Sequence, residues 1–357
     1  MLFWLFLFGK ASLTEARFNW RYDKSVVKWR REWSELKAIV IDQPGGPEQL
    51  KLKDVPTPQT KPGWSLIKIK GFGINRSEIF TRLGYSPVKF PWILGIEGVG
   101  IVSKSTDSIR LPEGQTVISL MHGMGRAFDG SYAEYALLPN DSIYPVETQL
   151  SWPELAALPE TFYTAYGSLL NMKIKTAKTL LIRGGASCVG VAAMRLAKTM
   201  VPGIRVAGTT RDPEKFARMQ TAGYDDTLLD DQRRLQTENH FDAILELVGP
   251  DTLMDSLTHL NVNGITCFTG ELSGMDDARW TVADFDPFGI PAGAYLTHFS
   301  SDTANASDLN DLIKLVETHH IDIKPAKIFD LVHTSDAQAA LDQADSFGKV
   351  VVVNSDY

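Results

Sequence analysis

The sequence predicts an α/β protein in two parts, a strand-rich part and a doubly wound parallel sheet with helices on both faces. Three observations predict it. Residues 37–150 carry short apolar strands punctuated by Gly and Pro; after about residue 160, apolar strands alternate with helical patterns; and one strand runs through a glycine-rich turn into a helix. The 357 residues suit about two domains, at roughly 100–200 residues each.

The first 36 residues stand apart. Residues 1–8 are apolar, Gly9-Lys10 breaks the run, and basic residues outnumber acidic ones. Trp4, Trp20, Trp29 and Trp33 make up half of the 8 tryptophans. A secretory signal opens on a basic stretch, and a mitochondrial presequence is poor in acids. Neither description fits, so the extension reads as a disordered or weakly helical tail. A targeting or surface-anchoring role is the alternative.

From Lys37 the character changes. Residues 38–41 form a short apolar strand, and Pro44-Gly45-Gly46-Pro47 a turn. Residues 64–70 alternate as a half-buried strand does, and 98–102 and 116–119 are further strands. Residues 179–182, 205–209, 226–229, 241–245 and 264–268 follow as strands, with 294–296 a sixth. Helices are expected over 189–200, over 213–222 with Gly223 as the stop, and from about Asp251. Residues 308–318 read as a helix, and 350–353 as a last strand that packs back on the first part.

Composition narrows the function. At 44% hydrophobic and 22% charged the chain can bury a core, which excludes wholesale disorder. A net charge of −7 argues against a general nucleic-acid binder. Two cysteines, Cys188 and Cys267, exclude a disulfide scaffold or a cysteine-rich zinc module and fit a reducing compartment. No apolar run of about 18 residues exists, so no membrane span is expected. The expected location is cytoplasmic, with a mitochondrial or membrane-associated one as the alternative that the extension raises.

The strand at 180–182 enters Arg183-Gly184-Gly185-Ala186-Ser187-Cys188-Val189-Gly190, and a helix follows. Glycines there let backbone approach a pyrophosphate, whose charge the helix N-terminus attracts. Ser187 stands where a strict G-x-G-x-x-G has its second glycine. The candidate dinucleotide-binding residues are Gly185, Ala186, Ser187, Cys188, Val189 and Gly190; the alternative is a ligand-free β–α corner. The next strand ends Thr209-Thr210-Arg211 with no carboxylate for a ribose diol. Arg211, with Lys215 one helical turn on, is therefore expected to hold a 2′-phosphate, favouring NADPH over NADH, and Thr210 is a further cofactor-binding candidate. The alternative leaves the two cations as solvated surface charges. Cys188 sits where a helix N-terminus can lower a thiol pKa, although small-residue packing is the preferred reading.

Seven segments carry a family resemblance: KAIVIDQPGGPEQLKLKDVP, GFGINRSEIFTRLGY, PWILGIEGVGIV, FDGSYAEYALLP, FYTAYGSLL, LLIRGGASCVGVAAMRLAK and TTRDPEKFARMQTAGYDD. From Lys37 to the end the chain resembles the medium-chain dehydrogenase/reductase superfamily, in its zinc-independent quinone oxidoreductase-like or enoyl reductase branch. The resemblance implies a GroES-like catalytic domain, 37–160 plus 299–357, interrupted by a Rossmann NADPH-binding domain, 161–298. It also implies a cofactor in the cleft between them, and a homodimer paired through the last Rossmann strand. Zinc-dependent members carry a Cys in the segment matching Gly73-Ile74-Asn75, His-Glu where this chain has Ile96-Glu97, and four clustered cysteines. Those Cys and His ligands are missing here, so no metal is expected. His319-His320 reads as a helix end.

Without zinc, the expected reaction is hydride transfer from NADPH to a small-molecule acceptor, an activated C=C bond or a quinone. The resemblance puts Asn75 near nicotinamide and substrate; the alternative is a turn residue bonding its own backbone. Phe80 stands where quinone reductases often carry a tyrosine. Tyr85 lies near the catalytic tyrosine of mitochondrial-type 2-enoyl thioester reductases, or else is a loop aromatic. The resemblance also implies that Thr164 contacts the nicotinamide amide. Leu247, Val248 and Gly249 end the fourth Rossmann strand and Thr269 and Gly270 the fifth, where doubly wound sheets bind ligands. Asp286-Pro287-Phe288 is expected to shape the substrate pocket. Two alternatives stay open: a 2-enoyl thioester reductase of lipid or polyketide metabolism, and an NADPH-binding sensor or structural protein without turnover.

Overall fold

The computed structural model describes residues 35–272, 285–342 and 347–354, so nearly all of the amino-terminal extension lies outside the described residues. The first strand, β1 (Glu35–Ile41), starts two residues before the boundary expected at Lys37. Leu36 explains the difference: it is buried with Ala38, Val40 and Ala133 in a small apolar cluster. β2 (Leu50–Pro56) pairs antiparallel along all of β1, and β4 (Trp92–Ile93) closes its other edge. Between them in sequence come β3 (Trp64–Gly73) and α1 (Arg76–Arg82).

A second sheet is built on β3. β5 (Glu97–Lys104), β6 (Thr116–Leu120) and β8 (Tyr144–Pro145) extend it on one side, and β7 (Tyr135–Pro139) also pairs with β3. The helices α2 (Trp152–Ala157) and α3 (Pro159–Asn171) then lead into the parallel sheet.

That sheet has the order β12-β11-β10-β9-β13-β14-β15. Its members, in chain order, are β9 (Thr179–Arg183), β10 (Arg205–Thr210), β11 (Asp226–Asp231), β12 (Arg234–Leu235), β13 (Phe241–Glu246), β14 (Leu260–Phe268) and β15 (Tyr295–His298). Helices α4 (Cys188–Met200), α5 (Phe216–Ala222) and α6 (Pro250–Thr258) join them. All pairings are parallel except that of the short β12. The chain leaves β9 towards β10 and later returns to β9's other side as β13. That reversal makes a crevice at the carboxyl ends of β9 and β13, where doubly wound sheets take ligands.

Two elements differ from the sequence expectation. Residues 213–222 split into a 3-10 turn, Pro213–Lys215, and α5, because the Asp212 side chain accepts the Glu214 amide and starts a separate tight turn. β14 begins at Leu260 rather than 264; Asn263 takes a left-handed φ of 67° inside it, a conformation that hides a strand from pattern reading.

The chain then returns to the second sheet. α7 (Ala306–His319) ends where His320 adopts a φ of 51°, the helix end read at His319-His320. β16 (Lys327–Phe329), α8 (Thr334–Asp342) and β17 (Val350–Val353) follow, and β17 pairs antiparallel with β3, Val351 opposite Gly73. One continuous core runs from Val99 and Leu120 of this sheet through Phe162 and Leu169 of α3 to Leu180 and Leu245 of the parallel sheet. α3 is thus packed against both sheets, and its N-terminus is fixed relative to each. Among the described residues, no helix is long and apolar enough to cross a membrane.

Candidate functional site

The glycine turn is shaped by close approach. Gly184 has a φ of +83°, a conformation that favours glycine. A Cβ on Gly185 would lie 2.8 Å from Gly208 Cα, and one on Gly190 would lie 2.8 Å from the Gly184 carbonyl oxygen. Strand, turn and helix therefore pack backbone to backbone. Helix α4 starts at Cys188, and its first amides lack intrahelical acceptors. Ser187 Oγ accepts one of them, Gly190 N, at 3.1 Å. Ser187 is thus the helix cap, which is why serine serves at a position where the strict motif has glycine.

Two other strand ends meet this turn. The Leu247 amide donates to the Arg183 carbonyl at 3.2 Å, and a Cβ on Gly184 would sit 3.3 Å from the Leu247 side chain. The Thr269 and Gly270 amides both donate to the Glu246 carbonyl. Gly270 passes so near Leu247 that a Cβ would lie 2.4 Å from its carbonyl oxygen. The Ser168 and Thr269 hydroxyls are 2.9 Å apart, and Ser168 Oγ donates to the Thr164 carbonyl. The turn, Leu247–Gly249, Thr269–Gly270 and Thr164 are thereby brought together around the crevice.

Beneath it lie buried charges. Arg183 is fully buried, donates to both Asp230 oxygens at 2.8 and 3.0 Å, and reaches Asp255 at 2.7 Å. Burial lowers its pKa, but Asp230, Glu246 and Asp255 together hold it raised. Glu246, also buried, accepts the Val248 and Gly249 amides and so shapes the loop after β13.

Asn75 leads to a second network. It caps α1 in a reciprocal capping box with Glu78, so the turn-residue reading of Asn75 holds as far as it goes. Its amide does more. Nδ2 donates to Glu97 Oε1 at 2.7 Å, while Oδ1 accepts from Lys349 Nζ at 2.7 Å. Lys349 Nζ also meets Glu97 Oε1 at 2.7 Å, with the two side chains 4% and 0% exposed. Burial lowers the Lys349 pKa, yet the charge and hydrogen bond of Glu97 raise it overall, so the ammonium stays charged. Glu97 Oε2 accepts the Glu160 amide at the start of α3, at 2.7 Å. One carboxylate thus ties β5, α1, β17 and α3 together.

Glu160 follows in the same polar line. Its Oε1 accepts from Thr164 Oγ1 at 3.2 Å and Ser301 Oγ at 2.9 Å, and its buried Oε2 has no hydrogen-bond partner. Burial, then repulsion from Glu97, pushes its pKa up to about 7. Burial does the same to Glu78, also to about 7, although Ile96 N, Tyr132 OH and Asn75 N oppose the shift. Sequence reasoning missed Lys349, Glu160, Arg183 and Glu246, and read Glu97 only as a position in a zinc motif. Gly348-Lys349 before four valines was the available signal for the lysine.

The other candidates are more peripheral. Tyr85 is 52% exposed, and its ring centre lies 6.4 Å from that of Phe80. Arg211 is exposed just past β10, Thr210 Oγ1 accepts the Asp212 amide, and Lys215 is half-buried one turn on. Cys188 Sγ donates to the Gly348 carbonyl at 3.0 Å, and burial raises its pKa rather than lowering it. Asp286 caps a short 3-10 turn, Pro287–Gly289, which leaves Phe288 96% exposed.

Comparison with known proteins matches both halves of this architecture. Residues 61–148 fit the family model described as an alcohol dehydrogenase GroES-like domain, and 220–352 the one described as zinc-binding dehydrogenase. A quinone oxidoreductase of Pongo abelii is 27% identical over 64% of this chain and 68% of its own. A type I phenolphthiocerol synthesis polyketide synthase of Mycobacterium bovis is 26% identical over 85% of this chain, a stretch that makes up 14% of that protein. The solved quinone oxidoreductase of Coxiella burnetii superposes with a TM-score of 0.77 at 26% identity, covering 90% of this chain and all of the other.

Proposed function

The chain belongs to the medium-chain dehydrogenase/reductase superfamily, quinone oxidoreductase-like, and on that premise we propose that it is an NADPH-dependent oxidoreductase acting on an activated C=C bond or a quinone. One observation carries the reading. The glycine turn, the ends of β13 and β14, and α3 converge on one crevice, and the Asn75 amide is bonded to the N-terminus of α3 through Glu97.

The turn fits a dinucleotide pyrophosphate, because its glycines hold the first amides of α4 at the crevice. Arg211 and Lys215 would take the 2′-phosphate, and Thr164 with Thr269 would line the nicotinamide end. A zinc ion does not fit between Asn75 and Glu97. Ile96 is buried and apolar, and the Lys349 ammonium already bridges Asn75 and Glu97, where its charge repels a second cation.

A reduced nicotinamide cofactor supplies hydride when bound. The protein's part is positioning and charge stabilisation. Asn75 Nδ2 spends one hydrogen on Glu97, and the other makes only a 3.5 Å contact with the Gly73 carbonyl, longer than an ordinary bond. That hydrogen is available to a ligand oxygen. Tyr85, exposed after α1, is proposed as the proton donor, and Tyr85→Phe with unchanged turnover would remove it from that role. The two free cysteines support a reducing, cytoplasmic location. The exposed Tyr295 on edge strand β15 supports a homodimer across that edge.

The test is NADPH oxidation by the purified protein with a quinone, an enone and an enoyl thioester. Turnover with at least one acceptor is expected. Tight NADPH binding with no turnover on any of them would make the protein a binding module. The polyketide synthase match, which spans most of the chain, favours a second reading as a 2-enoyl thioester reductase. A higher kcat/KM on crotonyl thioester than on a simple quinone would select it.

A further inference from the structure

Three consecutive residues just before β17 each reach a different element of the fold. The Phe347 ring lies 4.5 Å beneath the Arg218 guanidinium of α5. The Gly348 carbonyl accepts from Cys188 Sγ at the start of α4. Lys349 Nζ bonds Asn75 Oδ1 and Glu97 Oε1, each at 2.7 Å. This strap is built into the fold. Space for the ion pair exists because residue 73 is glycine: a Cβ there would lie 2.3 Å from both Glu97 Oε1 and Lys349 Cε.

An Asn amide has two nearly isosteric orientations, and only its partners decide which edge carries the N–H groups. Here a cation holds the oxygen and a carboxylate takes one hydrogen. The other hydrogen is thereby fixed in direction. We propose that Lys349 is a positioning residue that sets the Asn75 amide for the nicotinamide and substrate. As part of the Phe347–Gly348–Lys349 strap it also ties that orientation to the helix that starts at the phosphate turn. The proposal rests on the reading of Asn75 as the residue beside nicotinamide.

The test uses the full chain. Glu97→Gln/Lys349→Met removes both buried charges together, so neither is left uncompensated. The same pair is then introduced into Asn75→Ala. Two readouts are taken: steady-state kinetics with the best acceptor, and fluorescence of bound NADPH, which reports the nicotinamide environment without turnover. In the native background the pair is expected to lower kcat about tenfold or more, leave acceptor KM and NADPH affinity within about threefold, and change the bound-NADPH emission. In the Asn75→Ala background it is expected to change neither kcat nor emission further, because the residue being positioned is gone. Equal losses in both backgrounds, or no change in the native one, overturn the proposal. Should the double charge variant fail to fold, Lys349→Arg is carried through the same two backgrounds and judged by the same rule. If the native protein turns over no acceptor, the activity reading fails by itself, and the emission comparison still decides the role of Lys349.

Discussion

Arg211 is where cofactor choice is expected to turn. It stands exposed one residue past β10, beside a strand end with no carboxylate, and the nearest acid, Asp212, is engaged in capping the next turn. Arg211→Asp should weaken NADPH binding about tenfold or more, the loss of one or two charge-assisted bonds, and shift preference towards NADH. Titration with both cofactors checks this, and an unmoved NADPH/NADH ratio would remove the 2′-phosphate assignment. The positions of Arg211 and the glycines were legible in the sequence because they are local: each follows a strand by a fixed count. The Glu97–Lys349 pair was not, since its partners are 252 residues apart and no local pattern says that the two meet. Asn75 lay between these cases. Its capping role can be read from the Glu three residues on, but its amide's partners cannot.

At the scale of elements, the parallel strands announced themselves through apolar runs, and their carboxyl ends were found correctly to within a residue or two. What periodicity could not supply was how closely the loops after β9, β13 and β14 touch. Gly270 marks that contact. Gly270→Ala would place a methyl carbon 2.4 Å from the Leu247 carbonyl oxygen, and backbone must move to relieve it. The expected result is a destabilisation of about 1–3 kcal/mol with weakened NADPH binding, measured by denaturant unfolding and fluorescence titration. Retained stability and affinity would mean that the β14 loop yields freely. The split of 213–222 into two pieces has a similar origin, a single side-chain cap at Asp212 overriding a helical pattern.

For the whole molecule, two buried carboxyls contribute to the response to pH. Glu78 and Glu160 have folded pKa values pushed up to about 7 from 4.5, so between those values the folded chain holds more protons than the unfolded one. Stability is therefore fully present below about pH 4.5 as far as these two groups are concerned, and declines as pH rises through about 7. Glu160→Gln removes one of them. It should raise stability at pH 8 by up to about 3 kcal/mol, a few degrees in Tm, and flatten the Tm–pH curve between pH 5 and 8. A steeper curve in the variant, or one of unchanged slope, would show that Glu160 is ionised across that range.

The pairing of β17 with β3 bears on the order in which the molecule can be assembled. The whole parallel sheet lies between these two strands in sequence, and its own contacts are far more local. Loop closure makes such distant pairings slow. Until β17 docks, the Gly71–Gly73 end of β3 lacks its partner on the edge whose first half β7 already covers, and Glu97 waits without its ammonium. The event that seals the edge also delivers the cation to Asn75. A molecule whose second sheet is incomplete is therefore one whose site is not yet armed.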